Sequence, residues 1–188
     1  GFIVISKSGG TAETLTQFLY CLDVFRDQLD EANLKNHFVA ITEPGDRALR
    51  RLAEKWQLEI IDHGPGIGGR YSALSVVSLL PALIAGVDAY HIREGAAAVL
   101  RQALSANSAE DCAPAIGAVL NFGLAKEKNI NTTVMMPYLD RLASFGLWYR
   151  QLWAESLGKD GQGTTPVRAL GTVDQHSQLQ LYLDGPRD

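Results

Sequence analysis

One stretch constrains this chain more than any other: Gly1-Phe2-Ile3-Val4-Ile5, then Ser6-Lys7-Ser8-Gly9-Gly10-Thr11, then an apolar stripe at Leu15, Phe18, Leu19, Leu22, Phe25 and Leu29. The opening run is short, apolar and β-branched, the pattern of a buried parallel strand. The stripe recurs every three or four residues, the period of an amphipathic helix. A strand joined to a helix by a glycine turn presents unpaired N–H groups and the positive end of the helix dipole to whatever enters the turn. Ser6, Ser8, Thr11 and Thr14 add hydroxyl donors and Lys7 a positive charge, a set suited to a phosphate. The same residues also make ordinary turns and N-caps, with Thr11 capping and Thr14 facing solvent, and on these residues alone both readings stand. The Gly-Lys-Ser/Thr ending of a nucleotide phosphate loop is missing, as is the Gly-x-Gly-x-x-Gly spacing of a dinucleotide fingerprint. A monophosphate therefore fits the turn better than a nucleotide.

Alternation continues downstream. His37 to Thr42 reads as a second strand, and Glu43-Pro44-Gly45-Asp46 as a turn in which Asp46 is placed to cap a helix. Leu49, Leu52, Ala53 and Trp56 mark that helix's buried face, and Leu58 to Asp62 a third strand. Strands and helices joined by short links predict an α/β fold on a parallel sheet. Next comes a second glycine-dense loop, His63 to Ser72, with four glycines in the six positions 64–69. A turn alone does not need so many; they let backbone lie against a ligand. Arg70, at the mouth of the following helix, suits an oxyanion or a phosphate, and the competing reading is a flexible loop with a solvated arginine. His37, His63 and His91 lack metal-ligand spacing and read as structural or exposed, so no metal is expected.

From Val87 the character changes to two alanine- and leucine-rich helices, Asp88 to Ala106 and Ala109 to Lys126. Asn131 to Pro137 then reads as a strand and turn, and Leu139 to Leu157 as a long helix. Glu155 closes that helix beside Leu152 and Trp153, which are expected to desolvate its carboxyl and suit it to general-base work; a solvent-facing residue is the plain alternative. After an extended segment from Thr164 to Val173, a helix follows with His176 in its first turn, flanked by Asp174 and Gln175. Such polar neighbours favour an acid/base histidine over a core one. A second α/β unit is therefore expected to begin near residue 88.

Composition narrows the classes. The 188 residues are 46% hydrophobic and 20% charged, enough for a real core. A net charge of −4 argues against binding nucleic acid or an anionic membrane. Tyr71 to Val87, the longest apolar run, is broken by Ser72, Ser75, Ser78 and Pro81 and reads as a buried helix rather than a membrane span. Cys21 and Cys112 lie in apolar helical patterns and read as buried thiols of a reducing, cytoplasmic protein. The chain opens inside a strand and stops in a turn at Gly185-Pro186-Arg187-Asp188, as an excerpt of a longer protein would.

Four motifs together resemble one family. Ser6-Lys7-Ser8-Gly9-Gly10-Thr11, Gly68-Gly69-Arg70-Tyr71-Ser72, Ala154-Glu155-Ser156-Leu157-Gly158-Lys159 and Asp174-Gln175-His176-Ser177-Gln178 occur in the order and approximate spacing of the phosphoglucose isomerases. The resemblance implies the sugar isomerase (SIS) fold, a three-layer αβα arrangement on a parallel sheet, present twice in tandem. Residues 1–87 would hold the later part of the first domain, and 88–188 linking helices and the front of the second. By resemblance, Ser6, Lys7, Ser8 and Thr11, with Thr14 as a further candidate, hold the 6-phosphate of glucose or fructose 6-phosphate. Arg70, with Gly69, steadies the enediolate; Glu155 moves the proton between C1 and C2; His176 helps to open the ring. No cofactor is implied. A homodimer is implied, in which His176 reaches the neighbouring subunit's site. The family's late lysine would fall beyond Asp188 and its early glycine-serine motif before Gly1, so this stretch alone is expected to be inactive or nearly so. The competing expectations are a non-catalytic SIS-type sugar-phosphate sensor, an isomerase acting on an amino sugar or pentose phosphate, and the isomerase part of a transaldolase fusion.

Overall fold

The computed structural model describes residues 1–186; Arg187 and Asp188, the end of the expected terminal turn, lie outside the described residues. The chain divides into two compact units, Gly1–Gly95 and Ala96–Asp188. Both contain parallel β-structure with helical crossovers, the α/β class that the strand–helix alternation requires.

In the first unit, β1 (Phe2–Ile5), β2 (Phe38–Thr42) and β3 (Glu59–Asp62) form a parallel sheet in that order. Phe2 pairs with Phe38, and Val39 with Glu59. Helix α1 (Ala12–Arg26) carries the chain from β1 toward β2, through the short α2 (Glu31–Leu34), which Asp30 caps by accepting a hydrogen bond from the Asn33 N–H. Helix α3 (Ala48–Lys55) links β2 to β3. The core sits between α1, α3 and the sheet: Phe18, Leu22, Leu34, Phe38, Ala40, Leu49 and Ala53 are all buried there. Phe38 stacks on Phe2 at 4.8 Å and meets Phe18 edge-on at 5.8 Å, so three helix- and strand-borne rings fix how α1 lies on the sheet.

Several sequence expectations are corrected. Asp46 does not cap α3: Arg47 occupies the N-cap without a side-chain bond, and the Asp46 carboxylate takes Arg51 Nη1 at 2.6 Å instead. A flexible exposed carboxylate beside an arginine one turn on finds that charged partner rather than a backbone N–H. Tyr71 to Val87 is not one buried helix. A 3₁₀ turn over Gly69–Leu74 ends where the Ser75 hydroxyl caps α4 (Val76–Ile84), and no α4 side chain is fully buried; Ile84 is 69% exposed. Apolar content set the hydropathy of this run, but burial depends on what covers it. Cys21 and Cys112 are free but only partly buried, and Cys112 is the N-cap of a helix rather than a residue inside one.

Helix α5 (Ala89–Leu104) leads into the second unit, capped by Asp88, whose Oδ1 accepts from the N–H groups of Tyr90 and His91. Helix α6 (Ala113–Lys128) ends in a left-handed Asn129 and is followed by β4 (Thr132–Met135). Helix α7 (Ala143–Leu157) crosses to β5 (Thr165–Arg168), which pairs with β4 in parallel, and α8 (Val173–Asp184) follows. Gly146 is buried where α7 crosses β5, and a Cβ there would meet Arg168 Cγ at 3.0 Å. No helix among the described residues is long and apolar enough to cross a membrane.

Candidate active site

In an open parallel sheet, ligands bind beyond the carboxyl ends of the strands. In the first unit three loops leave from that edge: Ser6–Thr11 after β1, Glu43–Arg47 after β2 and His63–Gly68 after β3. Backbone bonds tie them to one another. The Glu43 N–H and the Thr42 hydroxyl both donate to the Lys7 carbonyl, at 3.1 and 3.3 Å. The Leu49 N–H reaches the Gly9 carbonyl at 2.8 Å, and the His63 N–H the Thr42 carbonyl at 2.9 Å.

The first loop is held by hydrogen bonds among its own residues. Ser6 is 5% exposed, and its hydroxyl lies 2.9 Å from that of Thr11. Gly9, at φ +67°, turns the chain so that its N–H donates back to the Ser6 carbonyl, and the Gly10 N–H points to Ser8 Oγ at 3.3 Å. Thr11 is the N-cap of α1 by position, yet its side chain makes no capping bond. Its hydroxyl is turned to Ser6 instead, so the first-turn amides of Ala12, Glu13 and Thr14 receive no hydroxyl from the cap. A helix start without its side-chain cap leaves N–H donors available to an anion. Thr14 is half-buried and lines a cavity of about 310 Å³ between β1 and α1 with Ile3, Gln17 and Cys21, so it does not simply face solvent.

Two residues that sequence reasoning passed over shape this rim. Lys7 Nζ stands 3.2 Å from Glu43 Oε1, and Arg47 Nη2 3.0 Å from Glu43 Oε2. The Glu43 side chain is only 13% exposed, and its carbonyl accepts from Arg50 Nε at 3.2 Å. Lys7 thus brings its charge to the loop already paired with a carboxylate. Glu43 lay within what reads as a turn and Arg47 on a helix start, and spacing alone gave no sign that they face Lys7.

The glycine-dense loop holds Arg70. None of Gly64, Gly66, Gly68 and Gly69 has a positive φ, and beside Gly66 and Gly69 the space is open. Their small size therefore exposes backbone rather than relieving strain. The Tyr71 N–H donates to the Gly68 carbonyl, and the Ser72 hydroxyl to that of Gly69 at 2.5 Å. Those bonds wind the 3₁₀ turn that carries Arg70, whose guanidinium lies 5.0 Å from the centre of the Tyr71 ring. His63, at the root of this loop, is a buried structural histidine at 1% exposure, with Nδ1 3.0 Å from the Gly64 carbonyl. His91 is exposed and pairs with Asp88. Among the described residues, no group of three or more His, Cys, Asp and Glu side chains is placed to hold a metal ion.

In the second unit, Glu155 lies near the end of α7 and is exposed, with Gln151 Nε2 donating to its Oε1 at 3.1 Å. The expected desolvation by Trp153 is not found. The Trp153 indole donates to Thr164 Oγ1 at 2.8 Å and its ring tilts against Tyr149 at 5.3 Å, which fastens it to the start of β5. Burial there pushes the Tyr149 phenol above its ordinary range, so it stays neutral. Two bonds fix the sense of α7: Arg168 Nε, at the end of β5, donates to the Ala143 carbonyl, while Trp153 reaches Thr164, before its start. The helix therefore runs against the strand, and Ala143 and Glu155 are separated by about 18 Å along its axis.

His176 lies at the other end of β5. It sits exposed in the first turn of α8, which Asp174 Oδ2 ties down by accepting from the Leu170 N–H at 2.6 Å. The Tyr138 hydroxyl donates to Gln175 Oε1 alongside. Glu155 and His176 thus occupy opposite ends of the second unit's strand pair. The acid and the imidazole are not adjacent within one chain, although the sequence brings them together as one terminal pair.

A model of the phosphoglucose isomerase family matches residues 1–182. The glucose-6-phosphate isomerase of Rubrobacter xylanophilus is 43% identical over 185 residues, covering 98% of this chain and 42% of that protein. The probable glucose-6-phosphate isomerase of Halobacterium salinarum is 46% identical over 186 residues, with the same coverage of each. Among solved structures, a hypothetical protein from Thermus thermophilus superposes with a TM-score of 0.87 at 39% identity, covering 98% of this chain and 44% of that one. A glucose-6-phosphate isomerase from Chlamydia trachomatis superposes at 0.84 with 26% identity, covering 98% and 37%. The chain spans about two fifths of the length of the curated relatives it matches.

Proposed function

Because the chain belongs to the phosphoglucose isomerase family, we propose that the full-length protein carrying it interconverts glucose 6-phosphate and fructose 6-phosphate, the aldose–ketose step of glycolysis and gluconeogenesis. The observation that carries this reading is the Ser6–Thr11 turn, where the cap hydroxyl is drawn to Ser6 and the first-turn amides of α1 are left for an anion. Binding the remote phosphate there anchors a small substrate, so that its reacting carbons meet the base in one geometry. Ser6, Ser8 and Thr11 supply hydroxyl donors, with Thr14 one turn on. Lys7 contributes its backbone and a charge shared with Glu43.

His176 assists ring opening by moving the proton between the ring oxygen and the anomeric hydroxyl. Glu155 then removes the proton from C2 of the open aldose and returns it to C1, while Arg70, beside Gly69, meets the negative charge on the enediolate oxygen. The proton leaves and re-enters the same sugar, so no electron acceptor is required. The exposure of Glu155 in this chain agrees with a carboxyl that is covered only when substrate and the rest of the protein surround it. The opposite placement of Glu155 and His176 about β5 supports a homodimer in which each subunit lends its histidine to the other's site. Two free thiols agree with a cytoplasmic setting.

The test is a coupled assay on the full-length protein with fructose 6-phosphate, using Glu155→Gln, His176→Ala and a mixture of the two. Each variant alone loses kcat by about 10²–10⁴-fold. Subunit mixing rebuilds one intact site in each mixed dimer and restores about a quarter of the wild-type rate. A wild-type protein that binds fructose 6-phosphate without turning it over overturns the isomerase reading and revives a sugar-phosphate sensor. Full activity in Glu155→Gln overturns the role of Glu155 as the base. A mixture that stays inactive overturns the sharing of His176.

A further inference from the structure

We propose that Arg47 is a second cationic contact for the substrate's phosphate, held at the rim of the Ser6–Thr11 turn by Gly9 beneath it and by Glu43 beside it. The inference rests on the reading of that turn as the phosphate site. Three observations converge on Arg47. Its stem lies directly against the turn: a Cβ built on Gly9 would come within 2.7 Å of Arg47 Cβ and 3.5 Å of its Cγ. Its position is locked from the backbone, because the Leu49 N–H two residues on donates to the Gly9 carbonyl at 2.8 Å. Its head shares one carboxylate with Lys7, which places two cations side by side at the loop.

The geometry of the shared carboxylate matters. Glu43, 13% exposed and anchored through its own N–H to the Lys7 carbonyl, holds Lys7 by Oε1 and Arg47 by Oε2. The three side chains sum to a single positive charge, enough to draw an anion without leaving two unscreened cations in the empty site. Glu43 engages Arg47 through Nη2, and a guanidinium fork has further N–H donors in the same plane to offer an arriving phosphate. Arg47 is 42% exposed in its pair with Glu43, four residues away, and an ion pair open to solvent on one side adds little to stability. Its placement against Gly9 is better explained by what it does for a ligand than by what it does for the fold.

The experiment uses the full-length protein and inorganic phosphate as the probe. Arg47→Gln keeps the Cβ and Cγ that pack on Gly9 while removing the charge. We expect KM for fructose 6-phosphate and the inhibition constant for inorganic phosphate to rise together, about fivefold, with the change falling in KM rather than kcat. Arg47→Lys recovers most of the loss. Arg51→Gln, whose side chain is 63% exposed and pairs with Asp46, changes neither constant. Ser6→Ala is run in parallel. If Ser6→Ala weakens phosphate inhibition and Arg47→Gln does not, the inference about Arg47 is wrong while the cradle stands. If neither substitution changes phosphate inhibition, the cradle itself is not the phosphate site.

Discussion

Gly9→Ala tests the geometry of the Ser6–Thr11 turn, the proposed phosphate site, apart from its chemistry. Gly9 sits at φ +67°, a left-handed conformation that costs an L-residue about 1–2 kcal/mol. A methyl group there would also lie 2.7 Å from Arg47 Cβ and 3.1 Å from Thr42 Oγ1. Neither neighbour retreats easily, since Thr42 is fully buried and Arg47 begins α3. Overpacking of that kind costs about 1–3 kcal/mol, so the full penalty is about 2–5 kcal/mol. Gly10, next along the chain, has no positive φ, and a methyl group added to it would meet nothing within 4 Å. Gly10→Ala should therefore change stability by less than about 0.5 kcal/mol. Denaturant unfolding of the full-length protein reads the difference as a shift in midpoint at constant slope. Adding Arg47→Gly to Gly9→Ala removes the Cβ–Cβ overlap and should return part of that packing cost of about 1–3 kcal/mol, the remainder being the Thr42 contact and the backbone cost. If Gly9→Ala and Gly10→Ala unfold at the same midpoint, the turn does not have the conformation on which the proposed phosphate site depends.

Three further outcomes follow from the packing. Phe38→Ala removes a ring that is 1% exposed and in contact with Phe2 and Phe18, and should cost about 3–5 kcal/mol in the same unfolding assay. Thr11→Val keeps the shape of the cap but leaves the buried Ser6 hydroxyl without its 2.9 Å partner; it should cost about 1–2 kcal/mol and raise KM for fructose 6-phosphate. The Asp88 carboxyl is held below its ordinary 3.8, chiefly by the His91 N–H hydrogen bond. A depressed carboxyl stabilises the fold above its unfolded pKa and stops doing so as pH falls through the folded value. Protection of the Tyr90 and His91 amides, taken relative to their intrinsic exchange at each pH, should therefore fall in that acid window, and Asp88→Ala should abolish that fall.

Local sequence determined much of this molecule. The β-branched runs and three-four stripes fix strands and helices through side-chain periodicity alone, and short links between them leave parallel pairing as the outcome. The hydroxyl-glycine turn is equally local: Ser6, Gly9 and Thr11 lie within one loop, so their placement can be read without knowing the fold. The same holds for Arg70 on its glycine loop and His176 in the first turn of its helix. Burial was not legible in this way. The Tyr71 to Val87 run is apolar, and within this stretch no element covers α4 enough to bury any of its side chains fully. Partnerships across loops were hidden for the same reason. Glu43 and Arg47 come to Lys7 because β1 and β2 lie side by side in register, with Lys7 and Glu43 thirty-six positions apart in the chain. Trp153 turns to Thr164 rather than to Glu155 because α7 must run back against the direction of β4 before β5 can pair with it in parallel. That reversal also sends Glu155 and His176 to opposite ends. Sequence specifies which groups exist and the local shape that presents them; distance between groups on different elements is set by strand pairing and crossover direction, which only the tertiary structure decides.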